Sequence, residues 1–171
     1  MASTVHQETP GLAARVIERL GTAGLTLATC ESLTAGAVAA RLADVPGASA
    51  VLRGGLVTYA TALKSSLAGV DAGLLEREGA VHPEVAAQMA RGAARACGSD
   101  LGVSCTGVAG PDPQDGKPVG TVHVALADRR GSGTVIARDL HLGGDRAAIR
   151  AATVDAVLRL VLDHADAPGN P

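Results

Sequence analysis

The sequence predicts an α/β protein built on a mixed, mostly parallel sheet that has helices on both faces and ends in an antiparallel hairpin. Two observations predict this fold class. Short apolar runs alternate along the chain with runs whose apolar residues recur at helical spacing, which is typical of a sheet covered by helices. Two alternating runs at 121–127 and 134–142 then flank the turn Arg129-Arg130-Gly131-Ser132-Gly133, which predicts the hairpin.

The individual elements follow from apolar spacing and from turn residues. The first helix is predicted to start with Thr9 as N-cap and Pro10 at its first position, and to be stopped by Gly21. His82 is expected beside the N-cap of a later helix. The other predicted elements are a strand at 25–29, a helix at 33–42, a strand at 54–60, helices at 62–67, 71–78 and 83–97, a strand at 100–105, a loop at 106–120, the two hairpin strands, and a helix from 145 to about 164.

Length and composition indicate one domain with an aliphatic core. The chain has 171 residues, and we expect a single domain over 9–165 with a disordered tail at 1–8 and a frayed tail at 166–171. Apolar residues make up 47% of the chain, yet aromatic residues make up only 1%. The core must therefore be built from Ala, Val, Leu and Ile, and an Ala-rich surface that packs flat predicts a homo-oligomer.

Charge and cysteine content exclude several classes of protein. The net charge of −2 offers no basic surplus for nucleic acid, and no apolar run has the length of a membrane span. The N-terminus lacks the apolar segment of a signal peptide. Three cysteines without CxxC spacing fit small buried residues in a reducing compartment. We therefore expect a cytoplasmic protein that binds neither nucleic acid nor membranes.

Ser32 lies where a predicted strand meets a predicted helix. The free N–H groups and positive end of a helix dipole favour negative charge, so a serine there can be a nucleophile beside an oxyanion site. Ser32 or Thr34 can equally be a simple N-cap. The neighbouring Glu31 has three interpretations: a catalytic acid, a partner of the helix N-terminus, or a partner of an arginine.

Lysine is rare in this chain. Of the 15 basic residues only Lys64 and Lys117 are lysines, which leaves 13 arginines. A lysine can lose its proton in a protein, whereas an arginine effectively cannot. Ser32, Tyr59 and Lys64 can therefore act together, with a buried lysine as base and the only tyrosine as relay or positioning group.

The loop at 106–120 and a pair of arginines are candidate anion sites. Gly107, Gly110 and Gly116-Lys117 give the loop the composition of a phosphate cradle, although it lacks the Walker A pattern and also reads as a rigid connection. Arg146 and Arg150 stand one turn apart and can hold a phosphate or lie on a solvated face. His123, Asp139 and His141 match no ligand spacing, so no metal is predicted.

Six sequence blocks together resemble the CinA C-terminal domain family, the nicotinamide-nucleotide amidases. They run in order from about Gly11 to His164. The blocks are Glu31-Ser32-Leu33-Thr34-Ala35-Gly36, Gly55-Leu56-Val57-Thr58-Tyr59 with Lys64, Gly79-Ala80-Val81, Thr106-Gly107-Val108-Ala109-Gly110-Pro111, Lys117-Pro118-Val119-Gly120-Thr121-Val122, and Gly144-Asp145-Arg146 with Ile149-Arg150.

The resemblance implies a three-layer α/β/α fold and hydrolysis of the carboxamide of nicotinamide mononucleotide, without a metal or cofactor. Ser32 resembles the nucleophile of this family, and Tyr59 and Lys64 resemble its activating partners. We expect amides near Leu33 and Thr34, with the Gly107 loop, to hold the oxyanion. The complete set of expected substrate-binding residues is Glu31, Leu33, Thr34, Thr106, Gly107, Gly110, Lys117 and Arg146.

The sequence departs from the family pattern at several positions. Relatives often carry Gly in place of Ala35, Ser in place of His82 and an aromatic residue in place of Leu142. The segment after Pro111 is commonly rich in Gly and Thr, whereas here it is Asp112-Pro113-Gln114-Asp115. This altered loop motivates an alternative function, a nucleotide-binding or regulatory module of the same family that has no turnover.

Overall fold

The chain folds as helices and strands that alternate in the predicted order. The computed structural model describes residues 11–131 and 133–167. Its elements are α1 (Leu12–Ala23), β1 (Leu27–Glu31), α2 (Ala37–Ala43), β2 (Leu52–Val57), α3 (Thr61–Ser66), α4 (Ala72–Glu78), α5 (Pro83–Cys97), β3 (Leu101–Gly107), β4 (Thr121–Asp128), β5 (Val135–His141) and α6 (Arg146–Ala165). The predicted tail at 1–8 lies outside the described residues, as does most of the tail at 166–171.

The five strands form one mixed sheet in the order β2-β1-β3-β4-β5. β1 is parallel to both of its neighbours, β2 and β3, whereas β4 is antiparallel to both β3 and β5. Four strands therefore run in one direction and β4 runs against them. The predicted fold class, including the closing hairpin of β4 and β5, is confirmed.

Helices cover both faces of the sheet. α1, α2 and α6 lie on one face and bury the larger aliphatic cluster, while α5 lies on the other face with α4. The α5 layer approaches the sheet closely: a Cβ added to Gly102 of β3 would overlap the backbone oxygen of Ala90 in α5. Small residues at this contact explain how a chain without Phe or Trp builds a dense core.

The first helix departs from the prediction at both ends. α1 begins at Leu12 with Gly11 as its N-cap, and the predicted N-cap Thr9 and first helical residue Pro10 lie outside the described residues. The helix also continues through Gly21 to Ala23. It ends there because Gly24 adopts the left-handed conformation (φ 66°) and its N–H bonds to the Gly21 oxygen. Gly21 was therefore wrong as the stop.

Other caps fit the sequence well. The Asp71 side chain accepts the Leu74 N–H at the start of α4, and the Asp145 side chain accepts the Ala148 N–H at the start of α6. His82 is itself the N-cap of α5, since its Nδ1 accepts the Glu84 N–H at 3.2 Å. Within the described part of the chain, no helix is both long enough and apolar enough to cross a membrane.

Candidate active site

Ser32 lies at the carboxyl edge of the sheet, directly after β1. The strand ends at Glu31, two residues later than predicted, and the Ser32 N–H continues the pairing with β3 by donating to the Cys105 oxygen at 3.1 Å. No helix begins there, because Ala35 (φ 53°) and Gly36 (φ 96°) both adopt left-handed conformations. The helix predicted from 33 therefore starts only at Ala37. The prediction that Ser32 lies at a helix N-terminus is therefore wrong, because Ser32 lies in a turn ahead of the helix.

Glu31 organises this turn from inside the protein. Its Oε2 accepts hydrogen bonds from Thr34 Oγ1 at 2.6 Å, from the Gly36 N–H at 2.9 Å and from the Val38 N–H at 3.0 Å. Its Oε1 accepts the Ala39 N–H at 2.9 Å. The sequence left three interpretations of Glu31 open, and these contacts match the one in which the carboxylate binds the helix N-terminus. Both oxygens are engaged and the residue is 1% exposed, so Glu31 shapes the turn rather than facing the cleft.

Arg150 binds two carbonyl groups of the same turn. Its Nε donates to the Leu33 oxygen at 3.0 Å and its Nη2 donates to the Thr34 oxygen, also at 3.0 Å. Neither alternative from the sequence, a phosphate site or a solvated face, describes this role. Over 11–131 and 133–167, the amide N–H groups of Leu33 and Thr34 have no acceptor within the protein.

Lys64 is a buried lysine in direct contact with Ser32. It projects from α3, is 1% exposed, and its Nζ donates to Ser32 Oγ at 3.1 Å and to the Thr58 oxygen at 2.7 Å. Burial lowers the pKa of Lys64 because desolvation penalises the ammonium form, and the nearby charge of Asp115 opposes that shift. Burial also raises the pKa of Cys30 to about 11 and of Cys105 to about 12, so these neighbouring thiols stay protonated near neutral pH.

Tyr59 lies at the mouth of the site and contacts Arg146. Its hydroxyl accepts a hydrogen bond from Arg146 Nη2 at 2.7 Å, and the residue is 55% exposed. Arg146 Nη1 also donates to the Gly110 oxygen at 2.6 Å. One side chain of α6 therefore binds both Tyr59 and the loop at 106–120. Lys64 is therefore hydrogen-bonded directly to Ser32, whereas Tyr59 is hydrogen-bonded to Arg146.

An open cleft lies beside Ser32. It is lined by Ser32, Leu33, Tyr59, Gly107, Val108, Ala109, Gly110, Asp112, Gln114 and Arg146. A second depression lies between α1 and α6 and is lined by Arg15, Glu18, Arg19, Thr22, Leu162 and Asp166.

Four residues expected to bind substrate lie away from the cleft lining: Glu31, described above, and Thr34, Thr106 and Lys117. Thr34 is fully buried, with its hydroxyl on Glu31 and 3.0 Å from Cys105 Sγ. Thr106 points to the α5 side of the sheet and donates to the Ala80 oxygen at 2.7 Å. Lys117 is half-buried and pairs through its backbone with Gln114 in the tip of the loop.

Asp115, which the sequence did not single out, fastens the loop over the site. Its Oδ2 accepts the Ala80 N–H at 2.9 Å, while the Ala80 oxygen accepts Thr106. A Cβ at Gly79 would lie 2.8 Å from the Asp115 side chain, so this glycine permits the contact. The backbone of Asp115 is left-handed (φ 51°), a conformation that aspartate tolerates better than most residues. The carboxylate links the loop to the segment before α5.

The described residues, 11–131 and 133–167, contain no cluster of three or more His, Cys, Asp or Glu side chains suited to a metal ion. His123 instead forms a cross-strand pair with Asp139, with Nδ1 and Oδ1 2.7 Å apart.

Comparison with known proteins assigns the family. A family model described as the CinA C-terminal domain matches residues 9–165. The chain belongs to this family. It is 52% identical to a CinA-like protein of Frankia casuarinae over 136 residues, which are 80% of this chain and 31% of that protein. It is 51% identical to a CinA-like protein of Geobacter sulfurreducens over 138 residues, 80% of this chain and 32% of that protein. The chain thus spans about a third of the length of these curated relatives.

Solved structures of CinA proteins share the fold. The competence/damage inducible protein CihA of Agrobacterium tumefaciens is 36% identical with a TM-score of 0.82, covering 92% of this chain and 98% of that one. The competence or damage-inducible protein of Enterobacter asburiae is 27% identical with a TM-score of 0.86, covering 91% and 96%. The resemblance found in the sequence blocks is therefore confirmed for both family and fold.

Proposed function

We propose that this CinA-family chain hydrolyses the carboxamide of nicotinamide mononucleotide to nicotinate mononucleotide and ammonia, with Ser32 as nucleophile and Lys64 as base. The observation that carries the proposal is the 3.1 Å contact between Ser32 Oγ and the buried Lys64 Nζ beside the cleft. A lysine kept out of water loses its proton more readily, which favours its use as a base.

The Thr58 carbonyl gives the neutral amine the orientation it needs. One N–H of Lys64 donates to the Thr58 oxygen at 2.7 Å, which leaves the amine lone pair free to accept the hydroxyl proton of Ser32. As Oγ bonds to the carboxamide carbon, its proton moves to Nζ and the carbonyl electron pair moves to oxygen. The Leu33 and Thr34 amides, which have no acceptor within the described chain, are the proposed donors to that oxyanion.

The remaining steps use the same lysine. The oxyanion collapses, the carbon–nitrogen bond breaks, and the Lys64 ammonium donates its proton to the departing nitrogen, which leaves as ammonia. Water then attacks the acyl-serine while Lys64 accepts one of its protons. When the ester bond breaks, Lys64 donates that proton to Ser32 Oγ, and the free enzyme is restored.

Arg146 and Tyr59 are the proposed contacts for the nucleotide at the cleft mouth. An exposed guanidinium there can form a charge-assisted hydrogen bond with a phosphate. The loop amides around Gly107 and Gly110 line the same cleft. Asp112, which also lines it, can accept hydrogen bonds from sugar hydroxyls.

The test is ammonia release from nicotinamide mononucleotide by the purified chain and its variants. Ser32→Ala should abolish release, and Lys64→Met should lower kcat at least about a hundredfold, the lower range for a general base. Lys117→Met removes the chain's other lysine and should be much milder. No release by the wild type, with Ser32→Ala indistinguishable from it, would sink the proposal.

A second candidate is a nucleotide-binding module without turnover. The observation that favours it is the cleft-lining pair Asp112 and Gln114, in the segment that departs from the family pattern. Binding of the mononucleotide by calorimetry without any product would support this candidate over the amidase, and turnover would remove it.

A further inference from the structure

Arg150 makes a two-pronged contact with the backbone that follows Ser32. It lies one turn after Arg146 on α6, is half-buried, and donates to two successive carbonyls, those of Leu33 and Thr34, at 3.0 Å each. The planar guanidinium fork suits this geometry because its N–H groups point in fixed, near-parallel directions. These two backbone contacts distinguish Arg150 from an arginine on a solvated helix face, whose guanidinium would be hydrogen-bonded to water.

The contact fixes the orientation of a peptide unit beside the nucleophile. The Leu33 carbonyl and the Thr34 amide belong to the same planar trans peptide, so their C=O and N–H groups point in opposite directions. Binding the carbonyl to Arg150 therefore turns the Thr34 N–H away from the arginine. That N–H has no acceptor within residues 11–131 and 133–167.

Glu31 and Arg150 act on this turn with opposite charges. The carboxylate accepts hydrogen bonds from the Thr34 hydroxyl and from three amides, whereas the guanidinium donates to two carbonyls. The turn contains left-handed Ala35, a conformation strained for a residue with a Cβ, which such contacts help to hold. A cation on the carbonyl also polarises the peptide and makes its N–H a stronger donor.

We infer that Arg150 is a positioning residue that holds the Leu33–Thr34 peptide so that its N–H stabilises the oxyanion formed at Ser32. The inference rests on the proposed amidase function. Arg150 itself contacts no substrate in this role and acts through the backbone, so its loss should lower kcat and leave KM almost unchanged.

Arg129 provides a matched control. Its Nη1 also donates to two backbone carbonyls, those of Ala94 and Ser99, at 3.1 and 3.3 Å. Those carbonyls lie where α5 leads into β3, at the opposite edge of the sheet from Ser32. Arg129→Ala therefore removes the same type of contact without touching the turn.

The kinetic test compares Arg150→Ala, Arg150→Lys and Arg129→Ala with the wild type. Arg150→Ala should lower kcat about tenfold to a hundredfold with KM within about twofold, the scale for a displaced catalytic group. Millimolar guanidinium should restore part of the activity of Arg150→Ala and none to Arg129→Ala. Arg150→Lys keeps the charge without the planar fork and should fall between, which preserves the test if the alanine variant folds poorly. An unchanged kcat, or a rise in KM alone, overturns the inference.

A second readout does not depend on turnover. Hydrogen exchange of a peptide spanning 32–37 should speed up in Arg150→Ala and stay at the wild-type rate in Arg129→Ala. Unchanged exchange in Arg150→Ala overturns the positioning role even if activity falls. If the wild type releases no ammonia but the exchange differs as expected, the amidase proposal fails and the support of the turn by Arg150 stands.

Discussion

Lys64→Met should change how the stability of the protein depends on pH. Lys64 is 1% exposed and bonded to a backbone oxygen and to a serine hydroxyl, so its ammonium form is poorly solvated when the chain is folded. Its pKa is therefore lower in the folded chain than in the unfolded chain, where the value is about 10.4. Methionine has a similar length and carries no charge, so the variant removes the titration and keeps the packing.

The direction follows from proton binding. Well below the folded pKa of Lys64, both states carry the proton and this group adds no pH dependence. Between the folded and unfolded pKa values, the unfolded chain binds more protons, so the free energy of unfolding rises with pH by up to about 1.4 kcal/mol per unit. Above the unfolded value the gain is complete. The wild type should therefore gain stability relative to Lys64→Met as pH rises through this window.

The assay is urea unfolding of both proteins at a series of pH values between about 6 and 10. The difference between the two free energies of unfolding is the quantity of interest, because groups common to both proteins largely cancel. This matters above pH 8, where the buried thiols of Cys30 and Cys105, whose pKa values are raised to about 11 and 12, reduce the stability of both proteins.

Parallel curves for the two proteins would refute the reasoning. They would mean that Lys64 titrates at the same pH in the folded and unfolded chain, and such a lysine could not serve as the proposed base near neutral pH. The absolute offset between the curves is not diagnostic, because Lys64→Met also leaves the Thr58 oxygen without its donor, at a cost of about 1–3 kcal/mol.

Three further predictions address the loop, the core and the cleft mouth. Asp115→Asn keeps an oxygen for the loop contact but removes a negative charge that raises the pKa of Lys64. The acidic limb of the plot of ammonia-release rate against pH should therefore move to lower pH, and an unmoved limb would contradict this prediction. Gly102→Ala should lower the free energy of unfolding by about 1–3 kcal/mol or more because its Cβ would overlap the facing helix backbone, whereas Gly143→Ala, with open space, should stay within about 0.5 kcal/mol in the same urea titration. The kcat/KM of the wild type for the mononucleotide should be roughly tenfold or more above its kcat/KM for the riboside, and Arg146→Ala should reduce this ratio. Equal values for the two substrates in the wild type would rule out the phosphate contact.

Much of the fold could be predicted from local pattern. The strand-like and helical runs alternate clearly, and the hairpin strands are separated by a recognisable turn, so the order of elements is confirmed. The homo-oligomer, the cytoplasmic location and the roles of the site residues stay predictions.

The turn after Ser32 could not be predicted, because long-range and local preferences compete there. The run from Leu33 to Leu42 is apolar and Ala-rich, and on propensity alone it reads as a helix. Glu31 instead draws together amides that are five to eight residues ahead of it, and Arg150 binds the carbonyls from 117 and 116 residues away. The spacing of Arg146 and Arg150 revealed a shared helix face, but the choice of partners depends on how α6 packs against the sheet.

Thr106 shows where strand alternation could have improved the prediction. It is adjacent to Cys105, whose side chain faces the α1, α2 and α6 layer. Successive side chains in a strand point to opposite faces, so Thr106 must face α5, where it bonds to Ala80. The sequence analysis ended β3 at 105, whereas the strand continues to Gly107, so Thr106 was placed in a loop and no face of the sheet was predicted for it.

The separation of Ser32 and Lys64 depends on the register of two parallel strands. Glu31 pairs with Val57 at the ends of β1 and β2, and the Thr58 N–H then donates to the Glu31 oxygen at 2.8 Å. The oxygen of the same Thr58 holds Lys64 Nζ, so the amine is tied to the last rung of the ladder beside Ser32. A Cβ at Gly55 would overlap Thr29 Oγ1 on β1, so a larger residue there requires the Thr29 side chain to move. Because Lys64 Nζ is held by the residue that follows β2 while Ser32 follows β1, the separation of base and nucleophile depends on how these two strands pair.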